Sequence, residues 1–192
     1  MIVSFGGDGT FLHVARVLGG REIPLLCVNM GSMGFMASLE PEDIGLVRKA
    51  AAGEYRRSRR MMLDVELVRD GQVIETDFAL NDAVIKSDIS CIGLEIASDG
   101  VGISDFSGDG VVVSTPTGST AYSLSAGGPI VEPEAENIII APICAHGMGA
   151  RPFVLSPCRK VTVIPERIYE RRVLLTVDGS APAELQFGDI IS

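Results

Sequence analysis

The sequence predicts two architectures in one chain, an α/β part over residues 1–53 followed by an all-β part of sandwich type over residues 54–192. Two observations carry this reading. Apolar residues recur at helical spacing only before Gly53, between short buried strands and glycine turns. After Gly53 the chain reads as strand upon strand, each short and bounded by turn residues. A length of 192 residues suits one ordinary domain or two small ones with a real core.

Met1–Phe5 reads as a buried strand that runs straight into Gly6-Gly7-Asp8-Gly9-Thr10. Phe11, Leu12, Val14, Ala15, Val17 and Leu18 follow at helical spacing, and Gly19-Gly20 ends the helix. Strand, glycine turn and helix make an α/β unit that can seat a phosphate, because glycines let the backbone approach a ligand. Asp8 would repel such a ligand unless it binds a metal or takes a proton from a hydroxyl; the plainer reading is an ordinary Asp-Gly turn. Leu25–Val28 is a second buried strand with another glycine loop, 29–35, at its carboxyl end. Phe35 in that loop suits either a base or the sheet edge. Pro41-Glu42-Asp43 opens a helix predicted to reach Ala52.

Arg56, Arg57, Arg59 and Arg60 form a basic cluster that reads as a solvated linker face rather than a phosphate patch. Met61–Val68 alternates as a strand, Asp70-Gly71 is a hairpin turn, and Val73–Lys86 returns as one long strand. Further strands are predicted at 93–97, 101–104, 111–114, 138–140, 161–164, 173–177 and 183–187. Asn81-Asp82 sets an amide beside a carboxylate in an apolar run. Such a pair suits the cis-diol of a ribose, provided the strand ends or bulges there, since strand neighbours face opposite ways. A satisfied buried polar pair is the alternative.

The segment from Gly108 to Pro129 organises the β part. After Gly108-Asp109-Gly110 and a buried strand, Ser114 to Ser125 puts seven Ser and Thr hydroxyls into twelve residues. Ser119 or Thr120 is expected to cap a short helix there, and Gly127-Gly128-Pro129 stops it. The unbroken order of strand, hydroxyl loop, helix and double-glycine stop favours a ligand loop over a polar surface turn. Pro142 to Pro152 is a last loop, carrying His146 and Arg151, and Val177-Asp178-Gly179 reads as a hairpin turn.

Composition narrows the function classes. A net charge of −9, from 25 acidic and 16 basic residues, argues against a general nucleic-acid or anionic-membrane surface. Mean hydropathy is high, at +0.32, yet no apolar run approaches the ~18 residues of a membrane span. No basic region precedes the first apolar residues, so the N-terminus does not read as a signal peptide. Cys27, Cys91, Cys144 and Cys158 are scattered and only two histidines occur, which argues against zinc and for reduced thiols in a cytoplasmic protein.

Taken together, Gly6–Thr10, Asn81-Asp82, Gly108–Gly110 with Thr115–Pro129, and Pro142–Pro152 resemble the NAD kinase family over nearly the whole chain. The glycine turn alone is shared with lipid kinases and phosphofructokinases; the third motif is far more specific. The resemblance implies an incomplete Rossmann-like sheet followed by the sandwich, and phosphorylation of the adenosine 2′-hydroxyl of NAD by ATP, or polyphosphate, with Mg²⁺. It implies Asp8 as the catalytic carboxylate, and Gly6, Gly7, Gly9 and Thr10 at the donor phosphates. It implies an NAD site from Phe35, Asn81, Asp82, Asp109, Thr120, Ala121, Tyr122, Ser125, Ala145, His146 and Asp178. Asp109, Ala145 and His146 match positions that reach NAD from a neighbouring subunit, so a homodimer or homotetramer is expected. The family often has Asn-Glu where Asn81-Asp82 stands. Its members usually carry another strand and helix before the glycine turn and a further tail after Gly188-Asp189, so the chain is expected to be short at both ends. Two other readings remain open, a lipid or sphingoid-base kinase and a non-catalytic NAD-binding module.

Overall fold

A computed structural model describes residues 1–192 except 32–35, 90, 148, 167, 169 and 170. The chain divides into two units, Met1–Arg59 and Arg60–Ser192.

In the first unit, β1 (Ile2–Gly6) and β2 (Leu25–Asn29) pair in parallel, in register from Ile2 with Leu25 to Gly6 with Asn29. A parallel neighbour needs a crossover, and α1 (Asp8–Leu18) supplies it. Gly19 ends α1 in the left-handed conformation at φ 54°, its N–H donating to the Ala15 and Arg16 carbonyls. The helix expected from Pro41 to Ala52 is broken into a 3-10 turn, Pro41–Asp43, and α2 (Leu46–Ala51). Gly45 falls at the junction, where an uninterrupted helix would cost about 1 kcal/mol relative to Ala.

The second unit is a β-sandwich. Its strands are β3 (Leu63–Arg69), β4 (Gln72–Ala79), β5 (Asp82–Ser87), β6 (Ile92–Ser98), β7 (Val101–Gly108), β8 (Gly110–Ser114) and β9 (Ile138–Ile143). They continue as β10 (Phe153–Leu155), β11 (Val161–Glu166), β12 (Val173–Val177), β13 (Ala183–Glu184) and β14 (Ile190–Ile191). One sheet runs β10-β9-β8-β5-β12-β13 and the other β4-β3-β14-β11-β6-β7. Leu63 and Val65 on β3, Ile92, Leu94 and Ile96 on β6, and Val163 on β11 share one core with residues of the other sheet. Ala83, Ile85, Val111, Val113, Ile140 and Val173 are the contribution from that side. The opposite face of the first sheet carries a smaller cluster, Val84, Val112, Ala141 and Ile143, with Tyr122 and Ala126 packed on it. That second cluster explains why β8 and β9 read as continuous apolar runs: both faces are covered.

Four strand expectations change, the first being that the strand expected at 101–104 runs on to Gly108 as β7. The long strand Val73–Lys86 is two strands in different sheets, β4 and β5, and the chain switches sheets at Leu80-Asn81. The strand expected at 183–187 shortens to Ala183–Glu184, because Gly188 turns at φ 89° and leads into β14. β9 runs on through Pro142, which a sheet tolerates here because β10 pairs only Ile138–Ile140 and leaves the Pro142 side as an edge. The hairpin turn at Asp70-Gly71 forms as expected, both residues at positive φ.

One ion pair ties the end of the chain to β3. Asp189 is fully buried, and its two carboxylate oxygens accept from Arg69 Nε at 2.8 Å and Nη2 at 2.7 Å, with the Gln186 N–H adding a third bond. Burial pushes the Asp189 carboxyl up, but the Arg69 hydrogen bonds, the Gln186 N–H and the Arg69 charge outweigh it and hold the group below its ordinary range. Arg69→Ala would leave a buried carboxylate without its cation. The expected result is a lower urea midpoint with an unchanged slope, and little change in ligand affinity.

Candidate functional site

In the first unit the candidate residues gather around the start of α1. Gly7 is the N-cap, with no side chain capping the helix; its carbonyl accepts from the Thr10 and Phe11 N–H groups. Open space lies where a Cβ on Gly7 or Gly9 would stand, so backbone there is accessible to a ligand. Gly6 is a glycine for a different reason: its Cβ would collide with the Thr10 side chain. Asp8, half-buried, accepts from the Met36 N–H at 3.1 Å through Oδ1. Phe35, expected at the adenosine end, lies outside the described residues.

The loop after β2 is tied back by a residue that the sequence reading passed over. Asn29 is buried; its Nδ2 donates to Glu40 Oε2 at 3.1 Å and Oε1 at 3.3 Å, while its Oδ1 accepts from the Gly31 N–H. The Ser38 and Leu39 N–H groups both donate to the Cys27 carbonyl. An amide at the end of an apolar strand was the available signal, and its partner eleven residues on was not.

In the second unit the site grows from the sheet switch. Asp82 opens β5 opposite Ser114, the last residue of β8. Directly paired residues share a face, and alternation along β5 puts that face with Val84, on the side where Tyr122 and Ala126 pack. Asn81 lies between the end of β4 at Ala79 and the start of β5 at Asp82, so the strand breaks there as the pairing of Asn81 and Asp82 on one ligand requires. The Asn81 side-chain oxygen and the Ser114 hydroxyl are buried with no hydrogen-bond partner. Buried polar atoms are ordinarily paired, so these two leave acceptor and donor capacity at the site.

The hydroxyl loop locks onto the same switch. The Thr115 hydroxyl donates to the Leu80 carbonyl at 2.5 Å and accepts from the Gly118 N–H, and the Thr115 N–H donates to the Asn81 carbonyl. Ser119 does not cap a helix. It is fully buried, and its hydroxyl donates to the Pro116 carbonyl at 2.7 Å and accepts from the Val131 N–H at 3.1 Å. A 3-10 turn over Thr117–Thr120 leads instead into α3 (Tyr122–Ser125), which starts with no side-chain cap. Thr120, Ala121 and Tyr122 are half-buried and Ser125 is exposed. Of the basic cluster, Arg60 reaches this loop, its Nη1 donating to the Thr117 hydroxyl at 3.4 Å.

Gly118 admits no side chain, since a Cβ would collide with the Asn81 carbonyl. Gly118→Ala is therefore expected to cost about 1–3 kcal/mol of stability by overpacking and to loosen the Asn81 turn. Thermal melts and ligand titration on the same sample check both effects.

Asp178, in the β12–β13 turn at φ 47°, gives both carboxylate oxygens to the switch. Oδ2 accepts from the Leu80 N–H at 2.7 Å, and Oδ1 from the Asn81 and Asp82 N–H groups at 2.8 and 3.0 Å. The Asp82 carboxyl is pushed up to about 7, first by burial and then by the Asp178 charge. Burial also raises Asp178, opposed by its three backbone N–H partners and reinforced by Asp77.

Asp109, Ala145 and His146 are not brought to this end. Asp109 precedes Gly110, which pairs with Lys86 at the far end of β5 and β8, about 13 Å from Ser114 at ~3.3 Å per residue. The three gather there. The Asp109 N–H donates to the Ile143 carbonyl, the exposed His146 donates its backbone N–H to the Ser107 carbonyl, and a Cβ on Gly108 would press on Ala145. A cavity of about 340 Å³ opens elsewhere between the two sheets, lined by Met61, Leu63, Val65, Ile85, Val113 and Val163 among others. Asp64, Glu66, Arg159 and Lys160 also line it, and no predicted site residue does.

A glycine turn opening an α/β unit, followed by a sandwich with a polar switch and a hydroxyl loop, defines a two-part protein of the nucleotide-handling kind. Comparison with known proteins makes this specific. The ATP-NAD kinase N-terminal domain model matches residues 1–55 and the ATP-NAD kinase C-terminal domain model matches residues 80–192. The NAD kinase of Trichlorobacter lovleyi is 41% identical over all of this chain and 68% of its own. The yeast NADH kinase solved with NADH superposes with a TM-score of 0.90 at 33% identity, over 98% of this chain and 56% of that one. The Archaeoglobus fulgidus NAD kinase solved with ATP gives 0.82 at 32% identity, over 99% and 72%. The chain belongs to the NAD kinase family.

Proposed function

We propose that this protein is an NAD kinase that transfers the γ-phosphoryl group of ATP to the adenosine 2′-hydroxyl of NAD, giving NADP and ADP. Family membership supports the reaction. The observation that supports the acceptor is the Asn81–Asp82 switch, with an unpaired buried amide oxygen and a carboxylate against a loop rich in hydroxyls. Ribose hydroxyls donate to such acceptors; an acyl chain would leave them unpaired.

In this reading Asn81 and Asp82 hold ribose hydroxyls, and Thr120, Ala121, Tyr122 and Ser125 line the dinucleotide. Asp8 takes the proton of the 2′-hydroxyl as its oxygen forms the new bond to phosphorus and the bond from γ-phosphorus to the bridging oxygen of ADP breaks. The Met36 N–H orients the Asp8 carboxylate. Gly7 and Gly9 bring backbone N–H groups to the donor phosphates, and Thr10 fixes the turn by packing on Gly6.

No group of three or more His, Cys, Asp or Glu that would hold a metal ion occurs among the described residues. Mg²⁺ belongs to the reading as part of the ATP substrate, since it is ordinarily held by substrate phosphates with one or two carboxylates. Among the described residues no helix is long and apolar enough to cross a membrane. All four cysteines are free thiols, which accords with work in a reducing cytoplasm. Asp109, Ala145 and His146, one strand length from the switch, suit contact with NAD on a second copy of the chain in a homodimer or homotetramer. Offering γ-labelled ATP with NAD and a sphingoid base side by side tests the reading. Label in NADP alone is the expected result, and label in the lipid alone would overturn it.

A further inference from the structure

We propose that Asp178 is a positioning residue, which sets the Asn81–Asp82 end of the dinucleotide site by binding three successive backbone N–H groups; this rests on reading that end as the NAD site. The chain leaves one sheet at Ala79 and enters the other at Asp82, so the N–H groups of Leu80 to Asp82 point into a gap between ladders. The Asp178 carboxylate fills that gap with bonds of 2.7, 2.8 and 3.0 Å. Its own N–H donates back to the Asp82 carbonyl at 2.9 Å, so turn and switch are clasped from both sides. A carboxylate engaged by three N–H groups is committed to the backbone. What it offers the ligand is the placement of its neighbours, the unpaired Asn81 oxygen and the Asp82 carboxyl.

The arrangement also couples the two acids. Asp178 faces Asp82 from the end of β12, and Asp77 on β4 bears on Asp178. Lys86 lies on the Asp82 face of β5 but four residues along, with its ammonium over the Tyr122 ring at 6.0 Å. Arg60 is at the Thr117 hydroxyl. Burial raises the Asp82 carboxyl, and the Asp178 charge adds to that rise.

Asp178→Asn keeps the volume and the tolerance of positive φ, but it removes the charge and turns an amide donor toward a backbone N–H. Amide exchange at Leu80, Asn81 and Asp82 is expected to quicken about 100-fold while Val84 and Ile85 stay protected. The Asp82 carboxyl, followed by carbon NMR, is expected to titrate at lower pH than in the wild type. With NAD and ATP, KM for NAD should rise about tenfold and kcat stay within about twofold. Unchanged exchange at the three amides, or an unmoved Asp82 titration, overturns the proposal. So does a fall in kcat with KM unchanged, which would put Asp178 in the chemistry. Absence of NAD turnover in the wild type would count against the kinase reading instead, and the two NMR readouts would still decide the role of Asp178.

Discussion

Asp8→Asn is expected to lower NADP formation about 10²- to 10⁴-fold, the usual contribution of a positioned base, while NAD affinity stays within about twofold. The substitution keeps the volume of the side chain and an oxygen to accept the Met36 N–H, which Asp8 binds at 3.1 Å. The capacity to take a proton is lost, together with the negative charge and one acceptor oxygen. Gly7 still caps α1 through its carbonyl, and open space beside Gly7 and Gly9 is untouched. A structural role for Asp8 predicts something else, a loss of stability in step with any loss of rate. Melting temperature, NAD titration and single-turnover rate on one preparation separate the two, and near-normal turnover would remove Asp8 from the mechanism.

Asp82→Asn is expected to weaken NAD binding and to stabilise the empty protein at alkaline pH. The folded carboxyl titrates at about 7, raised by burial and by the Asp178 charge, against 3.8 for a free side chain. A raised folded value means that the native state holds the proton more tightly than the unfolded chain. The resulting stability is complete below about pH 4, declines as pH rises, and is gone once pH passes about 7. Near pH 8 the wild type carries a buried charge beside another acid. A neutral amide relieves it by on the order of 2–4 kcal/mol. Binding moves the other way, because the amide offers a ribose diol one acceptor without charge, a loss of roughly 10- to 100-fold in affinity. Opposite signs for stability and binding mark a group kept for its ligand. Melts between about pH 4 and 8 with NAD titration at each pH would show them, and a parallel fall in both would make Asp82 a structural acid.

How much of this was legible in the sequence depended on how local the cause was. The glycine turn, the Gly19 stop and the Asp70-Gly71 hairpin are set by residues within a few positions of one another, and each formed as read. The end of β4 was not legible. Leu80-Asn81-Asp82 has no glycine or proline to mark a break, and the carboxylate that stabilises the switch comes from Asp178, far along the chain. β14, two residues long, exists through pairing with β3 and β11 and has no pattern of its own. Ser119 was misread because its neighbours suggest a cap, whereas burial commits its hydroxyl to Pro116 and Val131. The candidate site residues were easier to pick out than their geometry. Asn81, Asp82 and the loop from Thr115 stood out as polar groups in apolar surroundings, but nothing local told that Asp109 and His146 gather at the other end of β8.

The central claim is that this chain converts NAD to NADP. The direct test is NADP formation from NAD, ATP and Mg²⁺, read through an NADP-specific dehydrogenase, with Asp8→Asn run in parallel. Steady NADP production that disappears in the variant is the predicted result. Bound NAD and bound ATP without any NADP, or equal production by wild type and variant, would contradict it.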